Sequence, residues 1–125
     1  MRVLADTHIF YWLFYEQRKL PLAARVILDD AEAVYVSAAS FWEIAIKVRV
    51  GKLKADLPEL LASLDSANLI ELPVLARHTA LVSSLPLYHA DPFDRLLIAQ
   101  AMSEPLHLLT VDPKLSQYSD LVIQV

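Results

Sequence analysis

Short, mostly apolar strand segments alternate with helical segments along the chain, and this alternation limits the possible folds more than any other feature. The predicted strands are residues 2–5, 33–36, 69–72, 106–111 and 121–125. Short strands separated by helices are typical of a parallel sheet that is covered on both faces. We therefore predict an α/β fold with three layers, α/β/α, around a central parallel sheet of four to five short strands.

The segments between the predicted strands carry the start and stop signals of helices. We predict helices from Asp6-Thr7 to a break at Leu20-Pro21, then over residues 22–30, 37–51, 57–67 and 73–84, and finally from Asp91-Pro92 to about Glu104. This last helix is apolar on nearly every side, which predicts that it is buried. Asp94 lies in its first turn, and a buried carboxylate needs a partner.

Composition narrows the chemistry that such a fold can carry. The 125 residues suit one domain over residues 1–125. No run approaches the ~20 apolar residues needed to cross a bilayer, and Asp6 interrupts any secretory signal, so we predict a cytoplasmic protein without a membrane partner. The chain has no cysteine and one glycine, which excludes thiolate metal sites, P-loops and dinucleotide-binding motifs. The residues that remain as candidates for chemistry are those with oxygen ligands, namely Asp, Glu, Ser and Thr.

Four acids lie where the predicted sheet would bring them together. Asp6 and Asp112 follow predicted strands directly, and Glu43 and Asp94 lie near the starts of helices. Ligands of open α/β sheets bind beyond the carboxyl ends of the strands. We therefore expect the four carboxylates to converge at that edge.

Converging carboxylates raise each other's pKa unless cations lie among them. Mg²⁺ and Mn²⁺ bind through carboxylates and water, and such ions can activate water for in-line cleavage of a phosphodiester. The formal net charge is −4, so the remainder of the chain is neutral and would not repel a polyanion. Thr7 and Thr110 are candidates to hold the ligands or water from behind.

Each acid also has a purely structural interpretation. Asp6, Asp91 and Asp112 are residues of the kind that cap helices or turns, and we assign Asp91 mainly to this role, with a possible supporting position at the site. Glu43 and Asp94 could instead form ion pairs within the protein, Glu43 with Lys47 and Asp94 with Arg95 or Arg77.

The histidines give a weaker signal. His8 follows Asp6 closely enough to reach the site, although a lone histidine near a helix start is more often structural. We expect no metal-binding role for His78, His89 and His107, because they lack the spacing of metal ligands.

Four segments together resemble the PIN domains of the VapC-like toxin group. In chain order they are L-A-D-T-H, Y-V-S-A-A-S-F-W-E-I-A-I-K-V-R-V-G-K-L, H-A-D-P-F-D-R-L-L-I-A-Q-A and L-L-T-V-D-P. The resemblance runs from end to end, and the four segments in this order are highly specific. One departure is His8, which stands where the family usually has a small polar residue.

The resemblance implies a PIN-like fold with an acidic cleft that binds Mg²⁺ or Mn²⁺ and cleaves RNA. By motif position it assigns the catalytic and metal-binding acids to Asp6, Glu43, Asp94 and Asp112. It also implies a cognate antitoxin as protein partner and a homodimer. The leading hypothesis is therefore a metal-dependent endoribonuclease of a toxin-antitoxin pair. The alternatives are a catalytically inactive PIN-like binding module and, less favoured by the acid positions, a receiver-type signalling domain.

Overall fold

A five-stranded, wholly parallel sheet forms the middle layer of the protein. The computed structural model describes all residues from Met1 to Val125. The strands are β1 (Arg2–Ala5), β2 (Ala33–Ser37), β3 (Leu69–Leu72), β4 (His107–Thr110) and β5 (Val122–Gln124). Their spatial order is β3-β2-β1-β4-β5, and every neighbouring pair is parallel. All five predicted strands and the parallel arrangement are confirmed.

Six helices connect the strands and flank the sheet. They are α1 (Thr7–Tyr15), α2 (Leu22–Asp30), α3 (Ala38–Arg49), α4 (Leu57–Ser66), α5 (Ala76–Leu81) and α6 (Pro92–Ser103). Ser37 caps α3 through its hydroxyl, which accepts the N–H of Ala39. Gly51 lies at φ +80° just beyond the end of α3, a left-handed conformation that glycine adopts at little cost.

Two predicted helix boundaries are wrong. The first helix ends at Tyr15 instead of continuing to Leu20-Pro21, because the chain tightens into a 3₁₀ turn at Gln17–Lys19. The predicted helix over residues 73–84 is shorter, since α5 covers only Ala76–Leu81 and a 3₁₀ turn follows at Val82–Ser84. Both errors lie where regular hydrogen bonding gives way to tighter turns.

The alternation of side chains along β1 divides the core into two layers. Val3 and Ala5 pack in a buried cluster with Ile9, Phe10 and Ile44 from α1 and α3. Leu4 packs on the opposite face of the sheet, in a cluster that includes Leu97, Ile98 and Ala101 from α6. Because successive strand residues point to opposite faces, the central strand is buried on both sides, which confirms the α/β/α layering.

The direction in which successive strands are added to the sheet reverses at β1, between β1 and β4. The chain passes outward from β1 to β2 and β3, and later fills the other side with β4 and β5. The N–H of Asp6 donates to the carbonyl of Leu109 at 3.1 Å, so β1 and β4 remain paired to their carboxyl ends. Ligands of doubly wound sheets bind at such a switch point. No helix of the protein is sufficiently long and apolar to span a membrane.

Candidate metal centre

Asp6 lies at the carboxyl end of β1 and is 2% exposed. Its Oδ1 accepts the N–H of Ile9 at 2.8 Å, so it caps α1 as its structural interpretation requires. Burial raises the pKa of Asp6 above its ordinary value, and the charge of Glu43 raises it further. The hydrogen bonds from Ile9 and the Thr110 side chain oppose this rise. Oδ1 of Asp6 therefore caps α1. Because burial and the charge of Glu43 both disfavour a negative charge on Asp6, a neighbouring cation would stabilise its ionised form.

Asp94 begins the buried helix α6, where its carboxylate meets other acids. Burial raises the pKa of Asp94 to about 7. The charges that add to this rise are those of Asp91, Asp6 and Glu43, and the charge of His89 opposes it. The charges of Asp6, at the end of β1, and of Glu43, in α3, therefore act on Asp94 in α6.

Glu43 contributes a buried carboxylate from α3. The residue is 5% exposed, and its Oε2 lies 2.9 Å from Nζ of Lys47, one turn later. The predicted Glu43–Lys47 pair therefore forms, but on a buried face. Oε1 of Glu43 has no hydrogen-bond partner. An unpaired buried carboxylate oxygen is costly, and a bound cation would satisfy it.

Asp112 completes the acidic edge, and a histidine joins it to Asp94. Nε2 of His89 lies 3.0 Å from Oδ2 of Asp94 and 3.1 Å from Oδ2 of Asp112. The other oxygen of Asp112 accepts the N–H of Lys114 at 2.9 Å, so this acid caps a turn as well. Three potential ligand atoms, one each from His89, Asp94 and Asp112, lie within 4.8 Å of one another.

The donor set fits a divalent cation that prefers oxygen ligands. Of the four predicted acids, Asp94 and Asp112 lie close enough together to share an ion with His89, Asp6 and Asp94 have raised pKa values, and Glu43 has an unpartnered oxygen. The cationic groups in direct contact with these acids are Lys47 and, when protonated, His89. A divalent ion would supply the positive charge that this arrangement lacks.

Comparison with known proteins identifies the family of the chain. The family model of the PIN domain matches residues 3–121. The chain belongs to the PIN domain family. The predicted PIN resemblance is thereby confirmed, and nothing in the comparisons favours the receiver-type alternative.

Individual relatives agree with this assignment along nearly the whole chain. The PIN domain is 32% identical over 121 residues to Ribonuclease VapC22 of Mycobacterium tuberculosis (strain ATCC 25618 / H37Rv), covering 93% of this chain and 91% of the relative. Two solved structures share the fold. VapBC2 from Rickettsia felis, bound to a promoter DNA fragment, has a TM-score of 0.67 at 17% identity, covering 100% of this chain and 98% of that chain. FitAB bound to an IR36 DNA fragment has a TM-score of 0.65 at 16% identity, covering 98% and 94%.

The threonines that the sequence predicts behind the acids lie close to them in this PIN domain. The hydroxyl of Thr110 accepts the N–H of Asp112 at 3.0 Å, which leaves its proton for Asp6. The hydroxyl of Thr7 lies 2.8 Å from the hydroxyl of Ser40 in a buried pair that joins α1 to α3. Ser40 is one turn before Glu43, so this pair fixes the acid-bearing helices relative to each other.

The other two predicted neighbours, Asp91 and His8, have different surroundings. Asp91 caps α6 as expected, with Oδ1 accepting the N–H groups of Phe93 and Asp94. His8 is exposed, and its ring lies 5.7 Å from that of Trp12. Its charge acts on Asp6 from outside the carboxylate cluster.

The alternative ion pairs considered for Asp94 do not form. Asp94 pairs with neither Arg95 nor Arg77, because Arg77 binds Glu104 on the surface and Arg95 turns inward to backbone carbonyls. His89, which lacks the spacing of metal ligands along the chain, contacts two of the acids in the structure. Its position five residues before Asp94 is the only sequence signal that points to it.

Arg95 determines where His89 lies. Arg95 is 9% exposed, and its guanidinium donates to the carbonyls of Val82, Leu85 and Pro86 at 3.1, 3.3 and 2.8 Å. It also reaches the hydroxyl of Tyr118 at 3.2 Å, which accepts the N–H of His89 at 2.9 Å. The loop between α5 and α6 is thereby fastened from inside, and His89 is directed toward Asp112.

Proposed function

We propose that this PIN domain is a metal-dependent endoribonuclease that hydrolyses RNA phosphodiester bonds, and that it acts as the toxin of a toxin-antitoxin pair. The observation that supports the proposal is the acidic edge of the sheet, where Nε2 of His89 joins Asp94 to Asp112, and where Asp6 and Glu43 are buried carboxylates whose charges act on Asp94. The similarity to a ribonuclease over 93% of the chain supports the same reaction. Because RNA is the proposed substrate, we place the activity in the cytoplasm.

The four acids would hold Mg²⁺ or Mn²⁺. When bound, such an ion lowers the pKa of water and stabilises negative charge on phosphate oxygens during in-line displacement. Asp6 and Asp112 each commit Oδ1 to a backbone N–H, which fixes their orientation and leaves Oδ2 for a ligand. Glu43 offers Oε1 in the same way.

The remaining side chains hold the acids and the substrate in place. Lys47 compensates part of the charge of Glu43, and its partly exposed ammonium lies where a phosphate would approach. The pair of Thr7 and Ser40 keeps α1 against α3. No side chain of the chain has to act as the nucleophile, since water attacks the phosphorus and the ribose oxygen leaves.

A cleavage assay with purified protein tests the proposed reaction. RNA should be cut in the presence of Mg²⁺ or Mn²⁺, and cleavage should stop with EDTA. Asp94→Asn and Asp6→Asn should each abolish cleavage without loss of the circular dichroism spectrum of the fold. Asp65→Asn, the same change at an exposed acid of α4, should cut normally. Full activity in Asp94→Asn would overturn the assignment.

Metal titration distinguishes the nuclease from a catalytically inactive PIN module. Calorimetry should detect Mn²⁺ binding to the wild-type protein and much weaker binding to Asp94→Asn. A module that only binds a partner would need no cation, so absence of Mn²⁺ binding would favour that alternative.

We further propose that an antitoxin protein partners this chain, as the resemblance to VapC-like toxins implies and the fold shared with VapBC2 and FitAB supports. Expression of the chain alone should arrest growth of a host cell, and co-expression of the product of a neighbouring reading frame should relieve the arrest. Continued arrest, with no complex after co-purification, would contradict this partner.

We also propose a homodimer, through an apolar patch formed mainly by α3 and α6, with one residue from α5 and one from the turn after it. We define the patch by the residues that line it, which are Trp42, Ile46, Thr79, Val82, Pro92, Phe93 and Leu96. Trp42 is 63% exposed and meets Phe93 edge to face, with ring centroids 5.2 Å apart. Exposed aromatic side chains in an apolar patch are typical of protein interfaces.

A further inference from the structure

We propose that His89 is itself a ligand of the divalent cation, together with Asp94 and Asp112, and that this PIN domain therefore prefers Mn²⁺ to Mg²⁺. The inference rests on the proposed metal-dependent function and adds to it an imidazole ligand outside the four acids. It assigns a metal-binding role to a residue whose spacing along the chain gives no such indication.

The distances around His89 suit shared coordination of one ion. Its Nε2 lies 3.0 Å from Oδ2 of Asp94 and 3.1 Å from Oδ2 of Asp112. Two ligand atoms about 2.1 Å from a cation, at right angles in an octahedron, are separated by about 3.0 Å. The same separations that allow hydrogen bonds in the absence of a cation therefore allow a cation to replace the shared proton.

The backbone of His89 is held in position before any ion binds. The backbone N–H of His89 donates to the hydroxyl of Tyr118 at 2.9 Å, and its carbonyl accepts from Arg95 at 3.5 Å. Its side chain is 15% exposed, so it lies inside the cleft at its rim. Ligands that are oriented by their own hydrogen bonds lose little freedom when a metal binds.

A separate observation concerns Glu43, the buried acid of α3. Oε1 of Glu43 is buried without a partner, although Lys47 already occupies Oε2. Lys47 and the His89 imidazole together leave this oxygen unsatisfied, so the cationic side chains present do not complete the site.

Coordination requires the lone pair of Nε2, which a neutral imidazole with its proton on Nδ1 presents. Carboxylate oxygens suit both Mg²⁺ and Mn²⁺, but Mn²⁺, as a first-row transition ion, accepts an imidazole nitrogen more readily than the harder Mg²⁺ does. The consequence is a metal preference that four carboxylates alone would not produce.

Pulsed electron paramagnetic resonance of the Mn²⁺-loaded protein tests the proposal directly. The echo should show modulation from a ¹⁴N nucleus bound to the ion. Labelling the protein with ¹⁵N-histidine should replace that pattern with the ¹⁵N pattern, a result that needs no variant to fold. His89→Gln should lose the nitrogen coupling, and His8→Gln, a change at the other histidine near the acids, should keep it.

Calorimetry provides a second readout. His89→Gln should weaken Mn²⁺ binding more than about tenfold, the loss that even outer partners of metal ligands cause, and should weaken Mg²⁺ binding less. Mn²⁺ bound without nitrogen coupling would overturn the role of His89 and leave the proposed nuclease intact. Failure of the wild-type protein to bind Mn²⁺ at all would instead overturn the proposed function.

Discussion

The backbone N–H of Asp94 donates to Oδ1 of Asp91 at 3.1 Å, so the first acid of the pair holds the second in place. The same Oδ1 accepts the N–H of Phe93 at 2.8 Å. The carboxylate of Asp91 thus serves the start of α6, and the carboxylate of Asp94 is left to face His89. Two acids three residues apart therefore have different roles.

We expect separate substitutions to divide stability from activity. Asp91→Ala should lower the free energy of unfolding by about 0.5–2 kcal/mol, as loss of an N-cap does, with most RNA cleavage retained. Asp94→Asn should abolish cleavage without lowering stability, because it removes a buried charge that other acids crowd. Urea unfolding in EDTA and the cleavage assay measure both quantities. Loss of cleavage in a folded Asp91→Ala protein would contradict this division.

Arg95 offers a test of how the histidine-bearing loop is held. Arg95→Met should lower the free energy of unfolding by on the order of 3 kcal/mol, because several buried carbonyls lose a charged donor at once. Arg77→Met is the matched control, since Arg77 is 53% exposed and bonded to Glu104, and an exposed ion pair contributes about 1 kcal/mol or less. Urea unfolding at neutral pH compares them. Equal losses in the two variants would show that Arg95 does not anchor the loop.

Much of the site follows from local sequence signals, and the part that does not depends on contacts distant in sequence. Asp6 and Asp112 could be placed because each follows a strand, and strand ends of a parallel sheet share an edge. His89 could not be placed in this way. Its position depends on Tyr118, 29 residues away, and on Arg95, whose side chain turns inward instead of pairing with its neighbour Asp94. The end of α1 at Tyr15 could not be predicted either, because no proline or glycine marks the change to a 3₁₀ turn at Gln17.

The raised pKa of Asp94 predicts how stability changes with pH in the metal-free protein. The pKa is about 7 in the folded state and close to about 4 in an unfolded chain, so the folded state binds more protons between these values. The contribution of Asp94 to the free energy of unfolding is therefore fully present below about pH 4 and is lost as the pH rises through about 7. The loss is at most about 1.4 kcal/mol for each unit by which the two pKa values differ. The groups that face Asp94 are Asp6, Glu43, Asp91 and His89.

Urea unfolding across this pH range in EDTA measures the decline. Asp94→Asn should give a shallower pH dependence, because asparagine cannot take up the proton. Asp65→Asn, at an exposed acid, should reproduce the wild-type slope. Identical slopes for the wild-type protein and Asp94→Asn would show that Asp94 does not carry the extra proton.

The apolar patch on α3 and α6 predicts that a single charge prevents self-association. Trp42→Glu should convert the proposed dimer to a monomer. Loss of a central aromatic residue at an interface costs about 2 kcal/mol or more, which corresponds to about a thirtyfold increase in the dissociation constant. Leu22→Glu is the control, because Leu22 is 75% exposed on α2 and lies outside the patch. Sedimentation velocity over a range of protein concentrations measures the equilibrium. A wild-type protein that stays monomeric, or a Trp42→Glu protein that dimerises as strongly as Leu22→Glu, would show that this patch is not the dimer interface.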